Sequence, residues 1–232
     1  MLRKSADWNR KHARITGLLL IAGLVTGVFS VVPVIDGADY LARASANETG
    51  VLTGAFFQLL MVAAYVGIPI AMYPILSKHH KSLALGSVAF GIIAGVFIII
   101  GTLILLLLLT LSHEFAQTGG ANAFYFETLG GLMREGRDLV NHVATTLAFA
   151  LALLLFNCIF YRVKSVPRWL SVLGLAGSAL SILASLLFML RFIGLDTAYM
   201  ALNAPIALQQ LMLAIWLLVK GYNRPEQPVE PH

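Results

Sequence analysis

Charge is what this chain has least of. Charged side chains make up 12% of its residues, against about a quarter in a soluble domain. With 59% hydrophobic residues, that deficit excludes both a soluble globule and a disordered chain. Cysteine is almost missing. Cys158 stands alone in an apolar run, which excludes an intramolecular disulfide and a cysteine-based metal cluster. There is no P-loop, dinucleotide-binding, hydrolase or zinc-protease motif. No apolar run carries a regular array of Arg, which argues against a voltage sensor.

What the chain does have is long apolar runs. Residues 82–112 contain no Asp, Glu, Lys, Arg, His, Asn or Gln. As a helix this stretch reaches about 45 Å, more than the roughly 30 Å hydrocarbon core of a bilayer. Five further runs, at 15–33, 53–76, 139–161, 170–192 and 201–219, have spanning length. The first follows a basic start, as a signal peptide would. It exceeds the about 7–15 residues of such a segment and no small-x-small site closes it, so it reads as a retained span. The expected fold is an all-α integral membrane bundle of six transmembrane helices. A basic segment (1–14) precedes the transmembrane domain (15–223), and a flexible tail (224–232) follows it.

Small residues mark the expected contacts. Ser87, Gly91 and Gly95 lie at spacing four on the third span, Gly177, Ser181 and Ser185 on the fifth, and Gly23 and Gly27 form a GxxxG pair on the first. Such stripes let helix backbones approach closely; the GxxxG pair also suits a second copy of the chain. Pro69 and Pro74 predict a bend in the second span. Between spans, 35–52 reads as a polar stretch with a short surface helix. Residues 124–132 read as an amphipathic segment at the membrane interface, with Tyr125 and Phe126 as anchors.

With the N-terminus inside, twelve Lys and Arg fall on the inner side and four (Arg43, Arg134, Arg137 and Arg191) on the outer. This positive-inside asymmetry predicts that both termini are cytoplasmic. It also assigns the net charge of +5 to the inner lipid face and not to a nucleic acid.

Two groups of residues are candidates for chemistry. Polar side chains at membrane depth turn to the bundle interior, which singles out Gln209 and Gln210 in the sixth span, Asn157 in the fourth and Gln58 in the second. They read as interhelical hydrogen-bonding groups, or as a ligand cavity with Tyr65, Pro69 and Tyr73 of the bent second span. At the outer ends lie His113 and Glu114, Asp138 and His142, and Arg191. Asp138 and His142 share a helix face at spacing four. This set reads as interfacial charge. The alternatives are a proton relay, or haem or a divalent metal at His113 and His142. No cofactor is predicted.

Three stretches carry a family resemblance: Tyr73-Pro74-Ile75-Leu76 with Ser82-Leu83-Ala84-Leu85-Gly86; Val166-Pro167-Arg168-Trp169-Leu170-Ser171; and Pro205-Ile206-Ala207-Leu208-Gln209 with Trp216-Leu217-Leu218-Val219-Lys220-Gly221. Over residues 15–223 the chain resembles the domain of unknown function 4386 family. The resemblance implies a bacterial plasma-membrane protein of about six helices and brings no catalytic residues. It also implies charged residues inside the third span and a Glu after the sixth-span Gln, where this chain has Gly91, Ala94 and Gln210.

An interior with almost no formal charge offers little electrostatic stabilisation to a reaction or a hydrophilic ion. The expected function is non-enzymatic binding of a lipid, a small apolar ligand or a partner membrane protein. The alternatives are a small transporter with a mid-membrane cavity and an outward-facing metal or haem redox site.

Overall fold

The computed structural model describes residues 2–118 and 122–223, the first six of them as backbone only. The expected tail at 224–232 lies outside the described residues. The elements are α1 (Leu2–Phe29), a 3-10 turn (Pro33–Ile35), α2 (Tyr40–Ala46), α3 (Glu48–Leu76), α4 (Lys81–Gln117), α5 (Ala123–Leu139), a π-helical segment (Val140–Thr145), α6 (Thr146–Val163), α7 (Arg168–Met189) and α8 (Thr197–Val219). There is no strand among the described residues. Six helices are long and apolar enough to cross a membrane. The reason is elementary: backbone N–H and C=O groups in hydrocarbon must be satisfied within the segment, and a helix does that alone.

The six long helices close into a ring. α1 lies against α3 and α8, α3 against α4, α4 against α6, α6 against α7, and α7 against α8. The ring is pinched by a contact of α3 with α6 across its centre, where the rings of Tyr65 and Phe149 stack at 3.8 Å. α4 is the organising helix, since it also carries α2 and α5.

The small-residue stripes lie at these contacts. A side chain at Gly91 would stand 2.6 Å from the ring of Pro69 and 3.2 Å from the Tyr65 carbonyl. Gly95 takes Val66 and Val62, and Gly177 takes the backbone of Ile206. Ser87 Oγ donates to the Ala152 carbonyl at 2.9 Å. Gly23 and Gly27 face Ala64 and Met61 of α3; the GxxxG pair is thus turned to a neighbour within the chain.

α3 continues as one helix through Pro69 and Pro74. One local reading changes. The stretch before the fourth span is not mainly a connection: α5, the π segment and α6 form one helical rod, Ala123–Val163. α2 is the expected short surface helix: Ala42, Arg43 and Ala46 are exposed, while Tyr40, Leu41 and Ala44 are buried against α4 and α5. It is tied to α4 through Ser112, whose hydroxyl donates to the Leu41 carbonyl and accepts from the Ser45 amide at 2.8 Å.

The two ends of the ring differ. At the end bearing the termini, Tyr222 donates to the Thr16 hydroxyl at 3.3 Å, the Asn223 amide donates to the Ser165 carbonyl at 2.7 Å, and Lys78 sits 4.3 Å over the ring of Trp8. Tyr222 is packed against Phe160, and burial pushes its phenol above the ordinary value. At the α5 end lies a pocket lined by α1, α3, the α5–α6 rod and α8.

Candidate functional site

The pocket at the α5 end is a cavity of about 860 Å³ inside the ring. Its walls come from α1 (Gly23, Leu24, Gly27, Val28), α3 (Gln58, Met61, Tyr65), the α5–α6 rod (Asn141, Thr145, Phe149) and α8 (Met200, Asn203, Ile206, Gln210). The stacked rings of Tyr65 and Phe149 both line it, as does Leu153 one turn beyond Phe149. Asp36, Arg134, Arg137, Asp138 and Leu195 form its rim. That size falls in the range of about 300–1,000 Å³ typical of small-molecule sites, and so does the mixture of apolar wall with a few polar groups.

The π segment shapes one wall. A π turn shifts the phase of everything beyond it and often occurs at functional positions. Here its His142 carbonyl accepts two hydroxyls, Ser185 Oγ at 2.8 Å and the Tyr199 phenol at 3.1 Å. This ties the rod to α7 and α8. The start of α8 is fixed by Asp196, whose Oδ1 accepts from the amides of Ala198 and Tyr199 at 2.9 and 3.3 Å, an N-cap. Opposite, Gln58 spans two helices: its amide donates to the Ser30 carbonyl at 3.2 Å and its oxygen accepts from Thr102 at 2.9 Å.

Several buried polar atoms around the cavity have no hydrogen-bond partner among the described residues: Arg137 Nε, Thr145 Oγ1 and Ser181 Oγ. All three residues line it. Arg137 is only 7% exposed. Its Nη1 lies 3.8 Å from Asp138 and 4.0 Å from Asp36, both beyond hydrogen-bond length. Arg134, one turn earlier, is engaged: it donates to the Gly37 carbonyl at 3.2 Å and lies over the ring of Tyr40. Burial raises the Tyr40 phenol above its ordinary value, and the Arg134 charge only partly offsets this.

The first group of sequence candidates is divided by the structure. Gln58, Tyr65 and Gln210 line the cavity. Gln209 and Asn157 lie behind the wall, fully buried, where the Gln209 amide donates to Asn157 Oδ1 at 3.3 Å. Pro69 packs on Gly91, and Tyr73 is packed against the core of the terminal half.

The outer group is scattered. His113 is 3.5 Å from Glu48 and Arg191 is 3.2 Å from Glu135. Glu114 is exposed, and Asp138 stands beside Arg137. His142 is edge-on to Tyr199 and Phe188. Asn141, beside His142, packs on Gly101. His113 is twelve residues farther along α4, a rise of about 18 Å. The two histidines therefore do not face each other. Among the described residues no three His, Cys, Asp or Glu side chains group as a metal site.

Sequence reasoning missed Arg137, Asn141, Thr145, Ser181 and Asn203. A signal existed: Arg134, Arg137, Asn141 and Thr145 follow at spacings of three, four and four, one face of a helix. Placing the start of the fourth span at residue 139 cut that face in two.

Neither a curated protein nor a solved structure matches the chain. The model of the family described as domain of unknown function (DUF4386) matches residues 15–221. That match takes in α1 from residue 15 onward, the other five long helices, the cavity walls and the rim: the chain belongs to the DUF4386 family of uncharacterised activity.

Proposed function

We propose that this protein is a non-enzymatic membrane protein that binds a lipid-like or small apolar ligand in the cavity at the centre of its helix ring. One observation carries the reading: a cavity of about 860 Å³, mostly apolar, around which buried polar atoms have no partner. Each unsatisfied buried group costs about 1–3 kcal/mol, and a bound molecule that supplies the missing partners removes that cost. The apolar walls contributed by α1, α3 and α8 suit hydrocarbon. On the twelve-to-four distribution of basic residues, the mouth opens on the outer face of a bacterial plasma membrane, with both termini inside.

Native mass spectrometry after gentle extraction tests the reading. The protein is expected to leave the membrane with one small molecule bound. Ala207→Phe, which places a ring on the cavity wall, is expected to release it. A wild-type protein that emerges bare, or an Ala207→Phe variant of equal occupancy, overturns the reading.

A further inference from the structure

The most deeply buried guanidinium around the cavity identifies the class of ligand. Arg137 is 7% exposed, lines the cavity and donates to no partner from Nε. A guanidinium carries five N–H donors and stays charged. Leaving a buried N–H of a charged group such as Arg137 Nε without a partner is costly. The two acidic neighbours do not fill that need. Asp36 and Asp138 both approach Nη1, at 4.0 and 3.8 Å, and the Asp36 side chain is 62% exposed. Ion pairs of that length at a wet rim contribute little.

We propose that Arg137 anchors the anionic head group, a carboxylate or a phosphate, of a single-chain amphiphile whose tail lies in the cavity. This rests on the binding reading above and names its ligand class. A carboxylate or phosphate oxygen pair accepts two N–H donors of one guanidinium, an arrangement stronger than neutral hydrogen bonds. The tail then runs from the rim past Met61 and Thr145 toward Phe149 and Ile206, all lining residues. One ligand of drug-like size fills a site of this volume, which favours one chain over two.

The test uses the full-length protein in phosphatidylcholine nanodiscs, with palmitate, hexadecyl phosphate and hexadecanol as probes and native mass spectrometry as the readout. The three share a chain and differ in head group. Palmitate or hexadecyl phosphate is expected to bind at least about tenfold more tightly than hexadecanol, the worth of a charge-assisted hydrogen bond. The better of the two anions tells whether the head group is a carboxylate or a phosphate. Arg137→Gln is expected to erase the preference while hexadecanol still binds. Arg134→Gln, whose side chain is already engaged by Gly37 and Tyr40, is expected to keep it. Asp36→Asn removes a competing carboxylate and is expected to tighten anion binding.

Equal affinity of wild-type protein for palmitate, hexadecyl phosphate and hexadecanol overturns the anchoring role, even if Arg137→Gln fails to fold. So does a preference that survives Arg137→Gln. If all three bind equally and Ala207→Phe displaces them, the cavity reading stands and only the anchor falls. If none binds, both fall.

Discussion

Two glycines should respond in opposite directions to the same substitution. Gly91 faces the ring of Pro69 and the carbonyl of Tyr65; a Cβ built there stands 2.6 Å from Pro69 Cγ and 3.2 Å from the oxygen. Neither obstacle can turn aside, because one is a closed ring and the other is backbone. Overpacking of a tight contact costs about 1–3 kcal/mol, and these partners place Gly91→Ala near about 3. Alanine returns about 1 kcal/mol of helix propensity, leaving a loss of about 2 kcal/mol. For a chain of this size that lowers the melting temperature by about 4–8 °C. Gly131, on α5, has no atom within 4 Å of its added Cβ. Gly131→Ala therefore keeps the propensity gain and should raise melting by about 2–4 °C. Both are read by thermal unfolding of the detergent-solubilised protein. A Gly91→Ala variant as stable as wild type, or two variants that shift together, would refute the α3–α4 packing described here.

Two further perturbations probe the ends of the ring. Ser185→Ala with Tyr199→Phe removes both hydroxyls from the His142 carbonyl; at about 0.6 kcal/mol for each interhelical bond the pair should cost about 1 kcal/mol. Hydrogen exchange should then rise at residues 140–146, and unchanged protection there would separate the hydroxyls from the shape of the π segment. At the other end, burial first and then the charges of Lys78 and His80 hold the His79 imidazole below the usual histidine value. The unfolded chain then takes up the proton first as pH falls, so this share of stability is present above about pH 6.5 and lost below it. His79→Asn should flatten the fall in stability between about pH 7 and about pH 5, and a slope identical to wild type counts against it.

The spans were legible because hydrocarbon leaves the backbone few choices. A stretch like 82–112, free of charge and amide side chains, can only be a helix in a bilayer. The stripes of Gly91, Gly95 and Gly177 were legible for a related reason, since small side chains mark where backbones touch. Which backbone they touch was not. Gly23 and Gly27 have the spacing of a dimer face and instead meet α3. The cavity was half legible. Gln58, Tyr65 and Gln210 were named for their depth, but so were Gln209 and Asn157, which depth alone cannot tell from lining residues. Arg137 was lost to an assumption that charge ends a span. The helix continues through it, and the π turn at Val140–Thr145 alters the phase by which Arg137 and Phe149 come to line one cavity.

Whether such a molecule binds or transports turns on the terminal end of the ring. Passage through the ring needs a second opening toward the termini, and that route is closed by packed side chains and, at Gly91, by the Pro69 ring and the Tyr65 carbonyl. The Tyr65 and Phe149 rings are stacked nearly parallel, 16° apart. Gly91 and Pro69 leave no room for even a methyl group, and Gly17 lies against the Leu218 side chain and the Ala214 carbonyl. Gln209 and Asn157 are hydrogen-bonded and fully buried, with Gly174 closed over Asn157. Opening this half means separating helices and breaking the bond from the Gln209 amide to Asn157 Oδ1 in apolar surroundings, which is costly. At the other half lies the cavity, where Arg137 Nε, Thr145 Oγ1 and Ser181 Oγ lack partners that a ligand would supply in the reading proposed above. In the proposed reading, the packing at the terminal end is the structural reason to expect retention of a ligand over its release on the far side.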